Sequence, residues 1–451
     1  MSEPVIQSLV ARRIWDSRGR PTVEAEILLS DGAIGRGIAP AGASRGSREA
    51  IDKRDGGNRF GGLDVRDALA GITNEITPAL IGLDPFDQAA IDAKLIALDG
   101  TPNKARLGGN ALTAVSLAVL HAAAASQGLP LWRHLLGEGQ AVIPLPEIQI
   151  FGGGAHAGRR TDVQDFMVVA PRAKSFAEAL EVTAEVYRAA GAIMAERGLL
   201  QGVADEGGWW PAFSTNEEAL ETLMRAIERA GFAPGEDVSL SLDIAASEFG
   251  QGGRYRLGLD QRELDRDALA EMLFRWLDLY PILSIEDPFA EDDDKGFERF
   301  TAAVGDRVQV IGDDYLVTSA SRVADAARRK SVNAALIKVN QAGTVSEAKA
   351  ALDEGRRAGF GTIVSARSGE TEDVSIVHLA IGWGAGQLKV GSFARSERMA
   401  KWNEALRIEE ALGPKARFAG LDETPMRRRG VVGAVADRAA ATSGRGYRDR
   451  I

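Results

Sequence analysis

The chain contains no cysteine. Disulfides, thiolate metal sites and cysteine nucleophiles are therefore excluded. It also lacks an excess of positive charge: 54 Lys and Arg stand against 64 Asp and Glu, a formal net charge of -10. That balance argues against a general nucleic-acid-binding role and for solubility, although local cations and metal ions can still gather an anion. No uninterrupted apolar run of about 18 residues occurs, so no membrane span is expected. The opening MSEPVIQSLV has neither a basic start nor a long apolar stretch and does not read as a signal peptide. A cytoplasmic location is the expectation that follows. No Gly-x-Gly-x-x-Gly follows a first strand, which weakens a dinucleotide-binding reading. What is present is an ordinary globular composition, 45% hydrophobic and 26% charged, over 451 residues. That length suits two domains, or one large barrel with an extra domain.

Residues 5–36 alternate as strands do, with Val23, Ala25, Ile27 and Leu29 on one face and Glu24 and Glu26 on the other. A glycine-rich loop follows, Pro40 to Gly46, which is either a mobile lid or a turn-rich connection. Helices are expected over 63–83, 86–97 and 108–127, the last Ala-rich and buried. A domain boundary is placed near 138–142, dividing the chain into 1–138, 139–420 and a basic extension, 421–451, marked by Arg427 to Arg429. In the second part, strands expected over 238–243, 282–286, 307–312, 333–339, 361–365 and 387–391 alternate with helices over 175–197, 215–231, 264–278, 319–329, 343–358 and 372–382. That alternation predicts an α/β fold of parallel units, closed as a barrel rather than open.

The stretch from Asn333 to Gln341, NAALIKVNQ, focuses the functional question. Ala334 to Val339 reads as a buried strand interrupted by Lys338. Burying an ammonium group costs several kcal/mol unless it is paired. Lys338 is therefore ion-paired, or has the depressed pKa of a general base, or reaches solvent at the strand end. Its neighbours weigh on the choice. Asp243, Glu286 and Asp313 end three successive strands, and Lys389 lies in a later one. Strand ends of a parallel barrel converge on one mouth, where active sites lie. Three carboxylates meeting there repel one another unless a cation joins them, and oxygen-only ligation suits Mg²⁺. The plainer alternative is three separate helix caps or surface ion pairs.

From about residue 5 to about residue 420 the chain resembles the enolase family. The resemblance rests on Asp16-Ser-Arg-Gly19, Gly42-Ala-Ser44, Asp205-Glu-Gly-Gly208, Ala245-Ala-Ser-Glu-Phe249, Ser284-Ile-Glu-Asp287, Gly312-Asp-Asp314, Ile337-Lys-Val-Asn-Gln341, Ser368-Gly-Glu-Thr-Glu-Asp373 and Arg407-Ile-Glu-Glu-Ala-Leu412. It implies a modified (β/α)8 barrel, irregular in its early units, capped by an N-terminal α+β domain. It implies two Mg²⁺ per active site, a small anionic substrate and a homodimer or higher oligomer, with no nucleic acid or membrane partner. Position by position, it implies Lys338 as the base that removes a proton α to a carboxylate and Glu206 as the acid that protonates the departing hydroxyl. Asp243, Glu286 and Asp313 match the ligands of one Mg²⁺, and Ser44 on the lid matches a ligand of the second. Lys389 matches a group that stabilises the developing charge. Arg367 and Ser368 match a phosphate clamp, and Gln164 and His156 match further pocket residues.

The departures carry their own expectation. Ala366 stands where the family has histidine. Asp165 replaces a glutamate, Arg45 a threonine and Ala41 a serine. Ala155 precedes His156, Arg159 and Arg160 follow, and Trp209-Trp210 replace Phe-Ala. Together these changes predict a roomier, more cationic pocket for a larger or more anionic substrate. That points to a carboxyphosphonoenolpyruvate synthase-like enzyme of phosphonate biosynthesis. The alternatives are an ordinary enolase, converting 2-phosphoglycerate to phosphoenolpyruvate and water, and a non-catalytic scaffold on the same fold.

Overall fold

The cleanest alternation in the chain becomes an antiparallel meander of Ile6–Trp15, Pro21–Leu29 and Ile34–Ile38. The computed structural model describes residues 3–423. Val23, Ala25, Ile27 and Leu29 are fully buried on one face, while Arg12 pairs with Glu24 and Glu26 on the other. The helix Gly109–Ser126 packs across the sheet. Glycine permits that contact: a Cβ on Gly35 would lie 2.1 Å from the Ala122 nitrogen, and one on Gly37 2.3 Å from the Ala114 oxygen. By length and composition this helix could cross a membrane, yet it is buried along nearly its whole length inside the protein. The single helix expected over 63–83 is instead Arg66–Gly71, a wide π turn at Ile72–Ile76, and Thr77–Leu80. Pro78 has no N–H to give to the preceding turn, which breaks the regular ladder there.

The helix Leu131–Leu136 closes the capping region. Val142–Ile143 then pairs with Arg417–Phe418 before the barrel begins. Eight strands close the barrel: Leu145–Gly152, Asp165–Val169, Ser239–Asp243, Ile282–Glu286, Gln309–Gly312, Ala334–Ile337, Gly361–Ser365 and Gln387–Gly391. Asp165–Val169 runs antiparallel to both neighbours, and every other pairing is parallel. The reversal places the start of that strand, Asp165, beside the end of its neighbour, Asp243.

Several elements lie outside the expected set, among them the small sheet of Gly250–Gln251, Arg254–Leu257 and Arg262–Asp265 and four elements of the barrel. The strands Leu145–Gly152 and Asp165–Val169 are buried at every position, so no alternation marks them. The helix Ser396–Leu412 buries Arg398 and Lys401 among its inner residues, which blurs its apolar stripe. The helix Asp294–Val304 had a readable signal in Phe297, Phe300 and Val304. The strand expected to run to Val339 ends at Ile337, and Val339–Ala342 forms one helical turn. Residues 424–451, most of the expected basic extension, lie outside the described residues.

Candidate active site

The strand ends converge as parallel packing requires. Glu286 pairs in register with Asp243 on one side and with Ile311 on the other, two residues before Asp313. All three carboxylates are buried, Glu286 completely. The Lys389 ammonium donates to Asp243 Oδ2 and Glu286 Oε2, each at 2.9 Å, and lies 3.4 Å from Asp165. Lys338, just past its strand, pairs with Asp313 Oδ2. Of the three states open to Lys338, the structure therefore shows the ion-paired one. Burial pulls its pKa down most strongly of any one cause, but Asp313 and Glu286 together hold it above the ordinary lysine value.

Glu286 shows the opposite strain. Burial and the charge of Asp243 push Glu286 well above the usual carboxylate range. Its Oε1 is buried and makes no hydrogen bond. An unpaired buried oxygen within an oxygen-only donor set is what a hard divalent cation satisfies. Asp243, Glu286 and Asp313 thus fit Mg²⁺, with Lys389 supplying part of the compensating charge. Two groups, neither of them this trio, bring their ligand atoms within 4.8 Å of one another: Asp287 with Asp313 and Asp314, and His156 with Asp165 and Glu206. Asp287 is committed elsewhere. From a left-handed backbone (φ 39°) its two oxygens accept the N–H groups of Asp313 and Asp314, at 2.9 and 2.7 Å. We read it as the brace that aims Asp313.

The other side of the mouth is made by loops. His156 sits in the 3-10 turn Gly154–Ala157, with Nε2 3.7 Å from Asp165 and 3.8 Å from Glu206. Gln164 donates to Asp243 Oδ2 at 3.1 Å. Glu206 occupies a turn, Asp205 to Gly208, and is buried. Burial pushes its carboxyl up, but His156, Arg398, Lys389 and Lys338 bring it below its ordinary value. Gln149, absent from the expected set, ties this side together. Its amide donates to Asp165, and its oxygen accepts from Gly208 N at 2.9 Å.

Arg367 is buried under the lid loop. It donates to both oxygens of Glu49 (3.0 and 3.2 Å), to Asn340 Oδ1 (3.1 Å) and to the Ser44 carbonyl (3.1 Å). Gly42 is required there, because a Cβ would lie 2.0 Å from the Arg367 guanidinium. Glu49 also accepts from Gly46 N and from Gln341, and Gln341 in turn donates to Asp313 at 2.8 Å. The lid, the arginine and Asp313 are thus joined through two residues that sequence reasoning missed. Ser368 Oγ accepts from Ala43 N at 3.2 Å. Arg398, also missed, is fully buried and donates to the carbonyls of Arg367, Ser368 and Val390.

The altered positions fall into two groups. Ala366 and Ala41 are buried beside this network: Ala366 N donates to Lys389 O, and Ala41 bridges Gly369. The arginines do not join it. Arg45 and Arg160 are exposed. Arg159 pairs with Glu248 at 2.9 Å. None of the three donates to the buried cluster.

Comparison with known proteins gives a family for this arrangement. Residues 6–135 match the family model described as the enolase N-terminal domain, and residues 140–426 the model described as the enolase C-terminal TIM barrel domain. The chain is 47% identical over 424 residues to an enolase of Acidothermus cellulolyticus, covering 93% of this chain and 98% of that protein. It is 48% identical over 416 residues to enolase 1 of Desulfitobacterium hafniense, covering 92% of this chain and 95% of that protein.

Proposed function

The chain belongs to the enolase family, and from that premise we propose that it dehydrates 2-phosphoglycerate to phosphoenolpyruvate and water. One observation carries the reading: a single buried cluster joins Lys338, Lys389 and Glu206 to three strand-end carboxylates. Lys338 would take the C2 proton in its neutral form, which a divalent cation held by Asp313 would favour by drawing that carboxylate away from the ammonium. Glu206, on the loop side, gives a proton to the C3 hydroxyl as it leaves. An anionic substrate between Glu206 and the lysines offsets the cations that hold Glu206 ionised, which favours its acid form. Lys389 lies where negative charge grows on the substrate carboxylate. Arg367 and Ser368 hold the phosphate, and the Ser44 lid covers it.

Asp243, Glu286 and Asp313 would hold one Mg²⁺ and Ser44 would contribute to a second. The metal supplies concentrated positive charge beside a carboxylate whose α proton is otherwise very weakly acidic. The chain's own lysines already lie against those carboxylates. A lysine or histidine base working beside one or two Mg²⁺ is an established general pattern of enolase-superfamily sites, and the roles assigned to these residues follow it.

The ordinary reaction is preferred to the carboxyphosphonoenolpyruvate synthase-like one on two grounds. Both relatives are enolases, similar over more than nine-tenths of the chain. The extra arginines that motivated a more anionic substrate are exposed and make no contact with the buried cluster. Membership of the enolase superfamily also makes the chain an enzyme rather than a scaffold. A homodimer and a cytoplasmic location belong to the same reading. The test is steady-state formation of phosphoenolpyruvate from 2-phosphoglycerate with Mg²⁺. Turnover in the ordinary range of roughly 1–10³ s⁻¹ is expected. Turnover only when a phosphonate co-substrate is added would reject the proposal.

A further inference from the structure

Glu206 works from a loop, so something must hold that loop still. The turn from Asp205 to Gly208 is fixed by contacts from three directions. Ser392 N donates to Glu206 O at 2.9 Å. Gln149 accepts from Gly208 N at 2.9 Å. From behind, the Tyr187 hydroxyl donates to Gly207 O at 3.0 Å. Gly207 itself has φ +91°, and a Cβ there would lie 2.2 Å from Ala394 O. The turn therefore has little room to settle elsewhere.

Tyr187 belongs to the helix Phe176–Glu196 and is itself clasped. Trp209, the residue after the turn, stacks on its ring with centroids 4.6 Å apart and planes 13° from parallel. The indole N–H donates to the Tyr187 carbonyl at 2.9 Å. Gly191, one helical turn on, makes the seat: a Cβ there would lie 2.5 Å from the indole. Phe393 borders the tyrosine ring from another element, with centroids 6.0 Å apart. A ring alone would pack here. The hydroxyl is an addition, and it is used on the peptide next to Glu206.

We propose that Tyr187 and Trp209 are positioning residues for the acid step, holding the Glu206 turn against the substrate hydroxyl through the Tyr187–Gly207 hydrogen bond. Neither residue touches the substrate. The inference rests on Glu206 as the acid of the proposed reaction. It assigns a purpose to Trp209, which the sequence marks as a departure and the catalytic set leaves unused.

The experiment is proton NMR of 2-phosphoglycerate in D₂O with Mg²⁺, comparing the full-length chain with Tyr187→Phe. Exchange at C2 reports Lys338, and phosphoenolpyruvate reports the acid step. A displacement of about 1 Å can cost up to roughly 100-fold in rate, so a loosened turn should slow dehydration by about tenfold. C2 exchange and KM should stay within about twofold of wild type. Trp209→Phe, which keeps a ring but loses the indole N–H, should show the same split at smaller size. It also keeps the test alive if Tyr187→Phe folds poorly, as judged by its melting curve. Equal loss of exchange and dehydration in the two variants, or no change in either, would overturn the inference. A wild type that dehydrates normally while both variants do the same rejects the positioning role alone. A wild type that neither exchanges nor dehydrates rejects the proposed reaction, and this inference with it.

Discussion

The two sides of the barrel mouth are built by different means. From Asp243 round to Lys389, the site's charged groups lie at, just beyond or, for Lys389, two residues before the ends of six parallel strands. Across from them, one reversed strand presents Asp165 by its start, and His156, Gln164 and Glu206 arrive on turns. On the strand side register alone sets Glu286 beside Asp243, and the ties from Asp287 and Gln341 fall on Asp313. The loop side carries many: Gln149, Tyr187 and Ser392 all bind the backbone around Glu206. On the proposed reaction, the strands fix the charges that make proton removal feasible, and a braced loop delivers the acid. The chemistry should divide along the same line.

Substitutions can break or sharpen that division. The largest effect is expected on the strand side. Lys338→Ala should remove C2 exchange and dehydration together, on the order of 10⁴-fold, measured by NMR and by phosphoenolpyruvate formation. Next comes the loop side, where Glu206→Gln should slow dehydration on the order of 10³-fold while C2 exchange persists. Glu286→Gln should weaken Mg²⁺ binding about tenfold or more by calorimetry, because it removes an anionic ligand from the strand side. Glu49→Gln removes the carboxylate that clasps Arg367 and should raise tryptic cutting after the exposed Arg45 severalfold. The smallest effect is expected at Ala366→His, which should change kcat/KM for 2-phosphoglycerate by no more than about threefold if the pocket serves the ordinary reaction.

The same contrast explains what could be read in advance. A lysine or carboxylate closing a buried strand is conspicuous, so Lys338, Asp243, Glu286 and Asp313 could be found from their places in the repeating units. Glu206, His156 and Gln164 have no such mark, and only the family resemblance picked them out. Glu49 was not legible at all: its partner Arg367 is 318 residues away, and nothing local to the lid reveals it. Gln149 lies in a strand buried at every position, and Arg398 in a helix whose inner face is partly charged, so periodicity hides both. The arginines pose the converse problem. Their number can be read from sequence, but their direction depends on loop backbone, and the structure turns Arg159 toward Glu248. The state of Lys338 needed coordinates too, because pairing with Asp313 raises a pKa that burial alone would lower.

The division of labour is tested most directly by proton NMR of 2-phosphoglycerate in D₂O with Mg²⁺ and the Glu206→Gln protein. The C2 proton signal should disappear by exchange while almost no phosphoenolpyruvate forms. Loss of exchange together with dehydration, or phosphoenolpyruvate at the wild-type rate, would contradict a braced acid working apart from the strand-end base.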